Sequence, residues 1–360
     1  MAFSLNPYPV TYRAKFSGGN WTEEYIEKPH KTPEEEAAMN EKDLAELLNT
    51  RNIYDVPLVN YTTQYGVGCF EGAKALPQKD GSLKTFRIEQ NAARFARSMK
   101  GLYMPPFPEE MFVKAVVETV KRNAQKGFRP QYNPEWEKDS FATAESVYLR
   151  PFAMGEGGLG VTISKEPSVY IVTSPVSGYF SGNSNDAVIT KRFRATQNGT
   201  GWIKASSNYA ISAIAKYEAG QEGFIECIFL DAVNQKFIEE GSSCNLFFYL
   251  KSGELVTPEL GDTILPGITR ASIIELARDK GVKVSERKIA IDEVMDQTKE
   301  CWACGTAAGA TPISSITYNG KKAQFNDGKV GELTAEIAAT LKGIQYGKIP
   351  DSKGWMLPIC

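Results

Sequence analysis

Apolar residues recur at helical spacing in several segments of the chain. In residues 109–126 they return every three or four positions, and Gly127 follows as a stop signal, so we predict an amphipathic helix there. Similar spacing predicts helices at 91–99, 268–280 and 332–344 and a helix that begins at Asn208.

Shorter runs rich in β-branched and aromatic residues predict strands at 83–87, 145–152, 168–173, 224–231, 236–239, 245–250 and 299–303. The first 50 residues or so are polar and rich in Pro and Glu, and we expect a loop with at most one helix, at 33–48. Residues 174–186 are dense in Gly, Ser and Asn, which is typical of a linker. We therefore predict a small N-terminal domain at 1–174, an interdomain loop at 175–186 and a larger domain at 187–360.

Composition narrows the classes of function. A chain of 360 residues predicts two domains, and a net charge of −2 without a basic block argues against nucleic-acid binding. No apolar run is long enough to cross a membrane, and the first residues lack the charged start and apolar core of a secretory signal. Six scattered cysteines do not form a disulfide pattern, so we expect a cytoplasmic protein.

The single histidine, His30, excludes a site with several histidine ligands, and we predict no metal centre. We expect His30 to be a solvated surface residue. Acid–base chemistry must then come from Lys, Tyr, Asp, Glu or a cofactor.

Lys204 lies in a glycine-flanked apolar run, beside Trp202, Ile203 and Ala205. Burial there would lower the pKa of its amine, because burial disfavours the charged form. A neutral amine is what Schiff-base formation with an aldehyde cofactor requires. The alternative is a lysine whose stem is half buried and whose amine reaches solvent.

Three turns could hold parts of a cofactor. Between two apolar strands, Glu239 or Glu240 could hold a proton on a cofactor nitrogen, although a solvated hairpin turn gives the same pattern. The glycine turn at 265–270 leads into a helix, whose N-terminus can bind phosphate. The turn that contains Thr306 follows a strand, and its hydroxyl could bind phosphate or only belong to a tight turn.

Two motifs are interpreted as structural. The glycine-rich segment 155–160 has the spacing of a dinucleotide loop, but β-rich residues follow it, so we reject that function. Cys301 and Cys304 have no second pair nearby, and we interpret them as structural cysteines. Arg150 lies within an apolar strand. A charged side chain there is energetically costly unless it has an anionic partner, so Arg150 is a candidate to bind an anion.

Taken together and in this order, the motifs resemble those of the branched-chain amino acid aminotransferases, over a region from about Tyr65 to the C-terminus. The matching residues are Tyr65, Phe70-Glu71-Gly72, Tyr148-Leu149-Arg150-Pro151, Lys204 with Asn208-Tyr209, Glu240-Gly241 with Asn245-Leu246-Phe247, 265–270 and Gly305-Thr306-Ala307. The resemblance implies an α+β, two-domain fold of the D-amino-acid-aminotransferase type (PLP fold type IV), with a small α/β sandwich domain and a larger α/β pseudo-barrel domain. It also implies pyridoxal 5′-phosphate (PLP) as cofactor.

The resemblance also implies roles for single residues. Lys204 matches the catalytic lysine that forms the Schiff base, Tyr209 the partner of the phenolic oxygen, and Glu240 the partner of the pyridine nitrogen, while Glu239 occupies a variable position. The other cofactor contacts implied are Arg94, Ile268, Thr269 and Thr306 at the phosphate and Leu265 against the ring. The substrate contacts implied are Ser243 and Ala307 for the α-carboxylate, Tyr65, Phe70, Tyr148 and Tyr179 for the side chain, and Arg150 for the γ-carboxylate of glutamate.

The implied reaction is transamination of L-leucine, L-isoleucine and L-valine with 2-oxoglutarate, by a homodimer with small-molecule substrates. Two alternatives have the same fold, a D-amino-acid transaminase and an aminodeoxychorismate lyase. A third is a non-catalytic binding protein that has kept the fold. The sequence does not decide whether the enzyme works in synthesis or breakdown of these amino acids.

Overall fold

The computed structural model describes residues 6–177, 185–307 and 309–360. The chain divides into two compact units, one of residues 1–178, 205–207 and 345–360 and one of residues 179–204 and 208–344. Most of the predicted linker, together with Tyr179, lies outside the described residues. In the described part of the chain, no helix is both long and apolar enough to cross a membrane.

The first unit is built on an eight-stranded antiparallel sheet. Its elements are β1 (Val10–Ser17), β2 (Asn20–Glu27), α1 (Pro33–Ala37), α2 (Glu41–Arg51), α3 (Tyr61–Tyr65), β3 (Gly68–Phe70), β4 (Ala73–Pro77), β5 (Leu83–Phe86), α4 (Ile88–Gly101), α5 (Glu109–Gln125), β6 (Ser146–Met154), β7 (Ser168–Val176) and β18 (Met356–Pro358). The strand order is β18-β5-β4-β6-β7-β1-β2, and β3 pairs with β6. The apolar faces of α4 and α5, including Phe95, Met99, Phe112 and Val116, form one core with the sheet.

The second unit contains two five-stranded mixed sheets. Its elements are β8 (Asp186–Ile189), α6 (Asn208–Gln221), β9 (Glu226–Leu230), β10 (Ile238–Gly241), β11 (Asn245–Leu250), β12 (Glu254–Thr257), α7 (Ile268–Asp279), β13 (Lys283–Glu286), α8 (Ile291–Gln297), β14 (Thr298–Gly305), β15 (Gly309–Ile313), β16 (Ser315–Tyr318), β17 (Lys321–Gln324) and α9 (Glu332–Gln345). The sheet orders are β10-β9-β8-β16-β17 and β13-β12-β11-β14-β15. Ile228 and Ile238 of one sheet share a core with Leu246 and Phe248 of the other.

The long amphipathic helices and the apolar strands are confirmed. The predicted helices correspond to α4, α5, α6, α7 and α9, and their ends differ from the prediction by a few residues. In 155–160 no helix follows the glycines, which agrees with our rejection of a dinucleotide loop. Cys301 and Cys304 are free and buried in β14, and burial raises the pKa of Cys304 to about 12.

The prediction for the N-terminal region was wrong. Val10–Ser17 and Asn20–Glu27 form a hairpin whose two-residue turn is Gly18-Gly19, both with positive φ, a conformation that suits glycine. The single helix expected at 33–48 is two helices, because the side chain of Asn40 accepts a hydrogen bond from the Asp43 backbone N–H and starts a new helix. His30 is half buried, with its ring 6.1 Å from that of Phe128, rather than solvated.

The C-terminal segment also differs from the prediction, which assigned all of 187–360 to one domain. Residues 345–360 group with the first unit. Strand β18 pairs antiparallel with β5, and Tyr346 stacks on Phe141 with ring centroids 4.9 Å apart. These pairings join residues more than 200 positions apart in the sequence.

Candidate active site

Lys204 and Tyr209 come together at the start of α6. The Lys204 Nζ donates a hydrogen bond to the Tyr209 hydroxyl over 2.9 Å, and Lys204 is partly buried. The segment before the helix is held by Asn208, whose Nδ2 donates to the carbonyls of Thr200 and Ile203. The structure thus gives Lys204 a fixed partner rather than a free solvated amine.

Glu240 of β10 is buried and held by several partners in the second unit. Its Oε2 accepts hydrogen bonds from Asn245 Nδ2 and from the backbone N–H of Leu265, each over 3.1 Å. Its Oε1 lies 2.7 Å from Arg194 Nε, which is an ion pair without hydrogen-bond geometry at that nitrogen. The carboxylate is therefore fixed in position, and its charge is balanced by Arg194.

Sequence reasoning missed Arg194. Its side chain is 4% exposed, and Nη2 donates to the carbonyl oxygens of Gly201 and Thr263 over 2.8 and 2.6 Å. It lies in a polar segment without apolar periodicity, so the sequence carries no pattern that predicts its burial. A basic residue a short distance after a strand is too common a feature to indicate a site.

The predicted phosphate-binding positions begin α7. Gly267 is the N-cap residue and has no side chain with which to cap the first N–H groups of the helix. A Cβ at Gly267 would lie 2.0 Å from Asn245 Oδ1, so only glycine fits beside the amide that holds Glu240. Thr269 is buried, and Ile268 is partly buried.

The positions predicted for the substrate α-carboxylate follow β10 and β14. Ser243 is exposed, and Ala307 and Thr306 are partly buried. A Cβ added at Gly305 would lie 3.7 Å from the Ser243 carbonyl, so the two turns that carry these residues are neighbours.

In the first unit, Arg150 lies between two aromatic rings. The centre of its guanidinium is 4.7 Å from the centroid of Phe70 and 5.2 Å from that of Tyr148. Its Nη2 donates to the Tyr148 hydroxyl over 3.0 Å, and its buried Nε has no hydrogen-bond partner in the described residues. Tyr65 is more exposed, and its hydroxyl accepts a bond from the Gly160 N–H.

Arg94, the predicted phosphate arginine, forms a buried ion pair with Glu71. Its Nε and Nη2 donate to the two carboxylate oxygens over 2.7 and 2.8 Å, and Asn91 donates to Glu71 as well. Sequence analysis included Glu71 among the matching residues but gave it no role. In the structure Glu71 orients the Arg94 guanidinium.

The comparisons with known proteins identify the family. The family "Amino-transferase class IV" matches residues 68–316. A branched-chain-amino-acid aminotransferase of Mycolicibacterium smegmatis is 38% identical over 304 residues, which are 81% of this chain and 80% of that protein. Branched-chain amino acid aminotransferase 1, mitochondrial, of Humulus lupulus is 39% identical over 299 residues, 82% of this chain and 72% of that protein.

Solved structures of a T.th. branched-chain amino acid aminotransferase share the fold. They contain pyridoxamine 5′-phosphate, N-(5′-phosphopyridoxyl)-L-glutamate or 4-methylvaleric acid, and superpose with TM-scores of 0.74, 0.73 and 0.73 at 26–27% identity. Each covers 86% of this chain and 95% of that one.

The fold and the family match define a class IV aminotransferase with the predicted α+β fold of PLP fold type IV. Within that class, the chain belongs to the branched-chain-amino-acid aminotransferase family.

Proposed function

We propose that the protein transfers the amino group of L-leucine, L-isoleucine or L-valine to 2-oxoglutarate, with PLP as cofactor. The observation that carries the proposal is the Lys204–Tyr209 pair, an amine with a fixed hydroxyl partner at a position that matches the family's catalytic lysine. The solved T.th. relative with pyridoxamine 5′-phosphate supports the choice of cofactor.

The residues fit this cofactor in three respects. Glu240 provides a buried carboxylate for the ring nitrogen, and the uncapped start of α7 provides N–H groups for a phosphate. Lys204 provides the amine. Bound PLP would supply an aldehyde that condenses with amines and a ring that accepts electrons from the substrate carbon.

Four side chains of the protein would then have separate roles in the reaction. Lys204 Nζ removes the proton from the substrate Cα and would deliver it to the C4′ carbon of the cofactor, so it acts first as base and then as acid. The Tyr209 hydroxyl positions that amine through the 2.9 Å hydrogen bond. Glu240, with its charge balanced by Arg194, holds a proton on the ring nitrogen. Arg94, oriented by Glu71, binds the phosphate.

The surroundings of Arg150 support a pocket that accepts both an aliphatic side chain and a carboxylate. With an aliphatic substrate, the guanidinium keeps its contacts with the two rings and with the Tyr148 hydroxyl. With glutamate or 2-oxoglutarate, the guanidinium would donate to the γ-carboxylate. The T.th. relative has been solved with ligands of both kinds, an L-glutamate adduct and 4-methylvaleric acid.

We further propose that the protein is a homodimer. The first unit exposes large apolar side chains at Ile53, Leu58, Leu159 and Val161, between 65% and 89% exposed, and a second copy of the chain could cover them. Light scattering should give twice the mass of the chain. The mass of a single chain would reject the dimer.

The first experiment is the absorbance spectrum of the purified protein with PLP, before and after L-valine is added. We expect a visible band that L-valine bleaches. Lys204→Ala should lose turnover by at least about a thousandfold, because the proton transfer has no other base at this position. Lys121→Ala, at an exposed lysine of α5, is the matched control and should keep full activity. A band bleached only by D-alanine would assign the protein to the D-amino-acid transaminases, and no band at all would favour a binding protein.

Arg150→Ala separates the two substrate types. We expect kcat/KM for glutamate to fall about a hundredfold or more, since a charge-assisted bond to the γ-carboxylate is lost, and that for leucine to fall much less. Steady-state kinetics with both substrates measures this. Equal losses would remove Arg150 from the role.

A further inference from the structure

Glu226 is a buried carboxylate of the second unit that has no part in the chemistry proposed above. It is the first residue of β9 and is 4% exposed. Its Oε1 accepts the backbone N–H groups of Cys227 and Ser242 over 2.9 and 3.1 Å. Its Oε2 lies 2.9 Å from Lys216 Nζ and accepts a weaker hydrogen bond from the Cys244 thiol over 3.9 Å. Both carboxylate oxygens therefore have donors, and two of these donors belong to one turn.

That turn, residues 241–244, connects β10 to β11. The Gly241 N–H donates to the Cys244 carbonyl over 2.9 Å, and a Cβ added at Gly241 would lie 2.5 Å from the Cys244 Sγ. The turn is therefore tightly folded, with little room for a side chain at its first position. It directly follows Glu240, and its exposed residue Ser243 is the one predicted to contact the substrate α-carboxylate. Glu226 thus holds from inside the core a turn whose exposed residue is a candidate substrate contact.

Lys216 links Glu226 to the helix that carries Tyr209. Lys216 and Tyr209 are seven positions apart in α6, which is nearly two helical turns, so they lie on the same side of the helix. The Lys216 side chain is 38% exposed and that of Glu226 is 6% exposed, so the ion pair lies at the edge of the buried region. The charge of Lys216 offsets part of the cost of burying the carboxylate. One carboxylate therefore connects the helix that follows the predicted catalytic lysine with the turn that follows Glu240.

We propose that Glu226 is a positioning residue of the transamination site, because it accepts the Ser242 N–H and so holds the 241–244 turn in the conformation that presents Ser243 to the substrate α-carboxylate. The inference rests on the function proposed above and on the predicted role of Ser243. Without the carboxylate, the buried Ser242 N–H must find another acceptor, and the turn has to change its conformation to provide one. Every amino acid and 2-oxo acid of the reaction carries an α-carboxylate, so the effect should not depend on the substrate side chain.

Glu226→Met is the first test, since methionine keeps the length of the side chain and removes both acceptor oxygens. We expect KM to rise about tenfold or more for L-leucine and L-glutamate alike, with kcat within about twofold of wild type. The reason for this split is that the α-carboxylate is bound equally in the ground state and in the transition state. Glu226→Gln keeps an acceptor for the Ser242 N–H and should return KM to within about threefold of wild type.

Glu300→Met is the matched control in the same unit. Glu300 is 3% exposed and accepts the N–H groups of Leu333 and Thr334, over 3.3 and 2.9 Å, at the start of α9. It lies six positions before Thr306, which corresponds to about 20 Å of extended strand. Loss of this acceptor also destabilises the fold, but it should leave KM unchanged. An enzyme that is only destabilised loses active molecules, which lowers the apparent kcat and leaves KM as it was.

Amide hydrogen exchange gives a readout that does not depend on activity. Mass spectrometry of peptides that cover 241–246 measures it in the cofactor-loaded protein. The Ser242 N–H should exchange at least about tenfold faster in Glu226→Met, because it has lost its buried acceptor. In Glu226→Gln and Glu300→Met, it should exchange at nearly the wild-type rate.

Three results would overturn the role of Glu226. They are an unchanged KM in Glu226→Met, a KM in Glu226→Gln that rises as much as in Glu226→Met, and an unchanged exchange of the Ser242 N–H. If Glu226→Met fails to fold, Glu226→Asp tests the same point, because a carboxylate that is one methylene shorter cannot reach Lys216 and Ser242 together. Unchanged KM in Glu226→Asp would then reject the role.

Failure of this inference is distinguishable from failure of the proposed function. Wild-type protein that turns over L-leucine, together with an unchanged KM in Glu226→Met, rejects only the role of Glu226. Wild-type protein that does not turn over L-leucine rejects the proposed function and this inference with it.

Discussion

The buried pair of Arg194 and Glu240 gives the sharpest test of the structure. The side chains are 4% and 7% exposed, so neither charge is compensated by solvent. Arg194→Met keeps the length of the side chain but removes its charge. It leaves the Glu240 carboxylate buried without its cation and the carbonyls of Gly201 and Thr263 without their donor. Removal of one partner of a buried pair typically costs about 3–5 kcal/mol of unfolding free energy.

A double-mutant cycle separates the pair from simple loss of packing. In Arg194→Met with Glu240→Gln, no unpaired charge remains, so the double variant should be more stable than the sum of the single losses by about 2 kcal/mol or more. Urea unfolding followed by circular dichroism measures each free energy. It should be done with and without added PLP, since a ligand that binds the folded state adds stability.

Arg192 offers the matched control, two residues away. It pairs with Glu218, but both side chains are nearly half exposed, so Arg192→Met should cost less than about 1 kcal/mol. The reasoning is refuted if Arg194→Met costs no more than this control. It is also refuted if the cycle is additive to within about 0.5 kcal/mol.

Two further predictions concern Tyr148 and Glu239. In Gly72→Ala, the new Cβ would lie 2.4 Å from the Tyr148 hydroxyl, so the tyrosine must move away from Arg150. We expect kcat/KM to fall about tenfold more for 2-oxoglutarate than for an aliphatic 2-oxo acid, and equal losses in steady-state kinetics would contradict this. Glu239 has a folded-state pKa of about 7 against an ordinary value of 4.5, so its ionisation destabilises the fold as pH rises through that window. Relative to wild type, Glu239→Gln should therefore gain roughly 2–3 kcal/mol of unfolding free energy between pH 5 and pH 8, and a pH-independent difference would show that Glu239 is not the group concerned.

Local sequence patterns were sufficient to predict a helix or strand wherever one face of that element is buried in a single core. Helix α5 shows this, because its apolar residues return at helical spacing and all pack into the core of the first unit. Lys204 and Tyr209 are only five positions apart, so the chain at the start of α6 itself sets the hydrogen bond between them, while their roles stay predictions.

The hairpin at the N-terminus was missed although a signal was present. Strand β2 is mostly polar and lies at the edge of the sheet, so its sequence lacks the apolar alternation on which the prediction relied. The Gly18-Gly19 pair was the available signal, since two glycines between β-prone runs are typical of a tight hairpin turn.

The sequence by itself determined the family and the main helices. The tertiary structure alone decided that Arg194 balances Glu240, that Glu71 orients Arg94, and that the C-terminal strand completes the sheet of the first unit. It also decided that Glu239 is buried with an unsatisfied oxygen. The physical reason is that burial and ion pairing depend on which distant segments meet. Periodicity along the chain reports only on which face of one element avoids water.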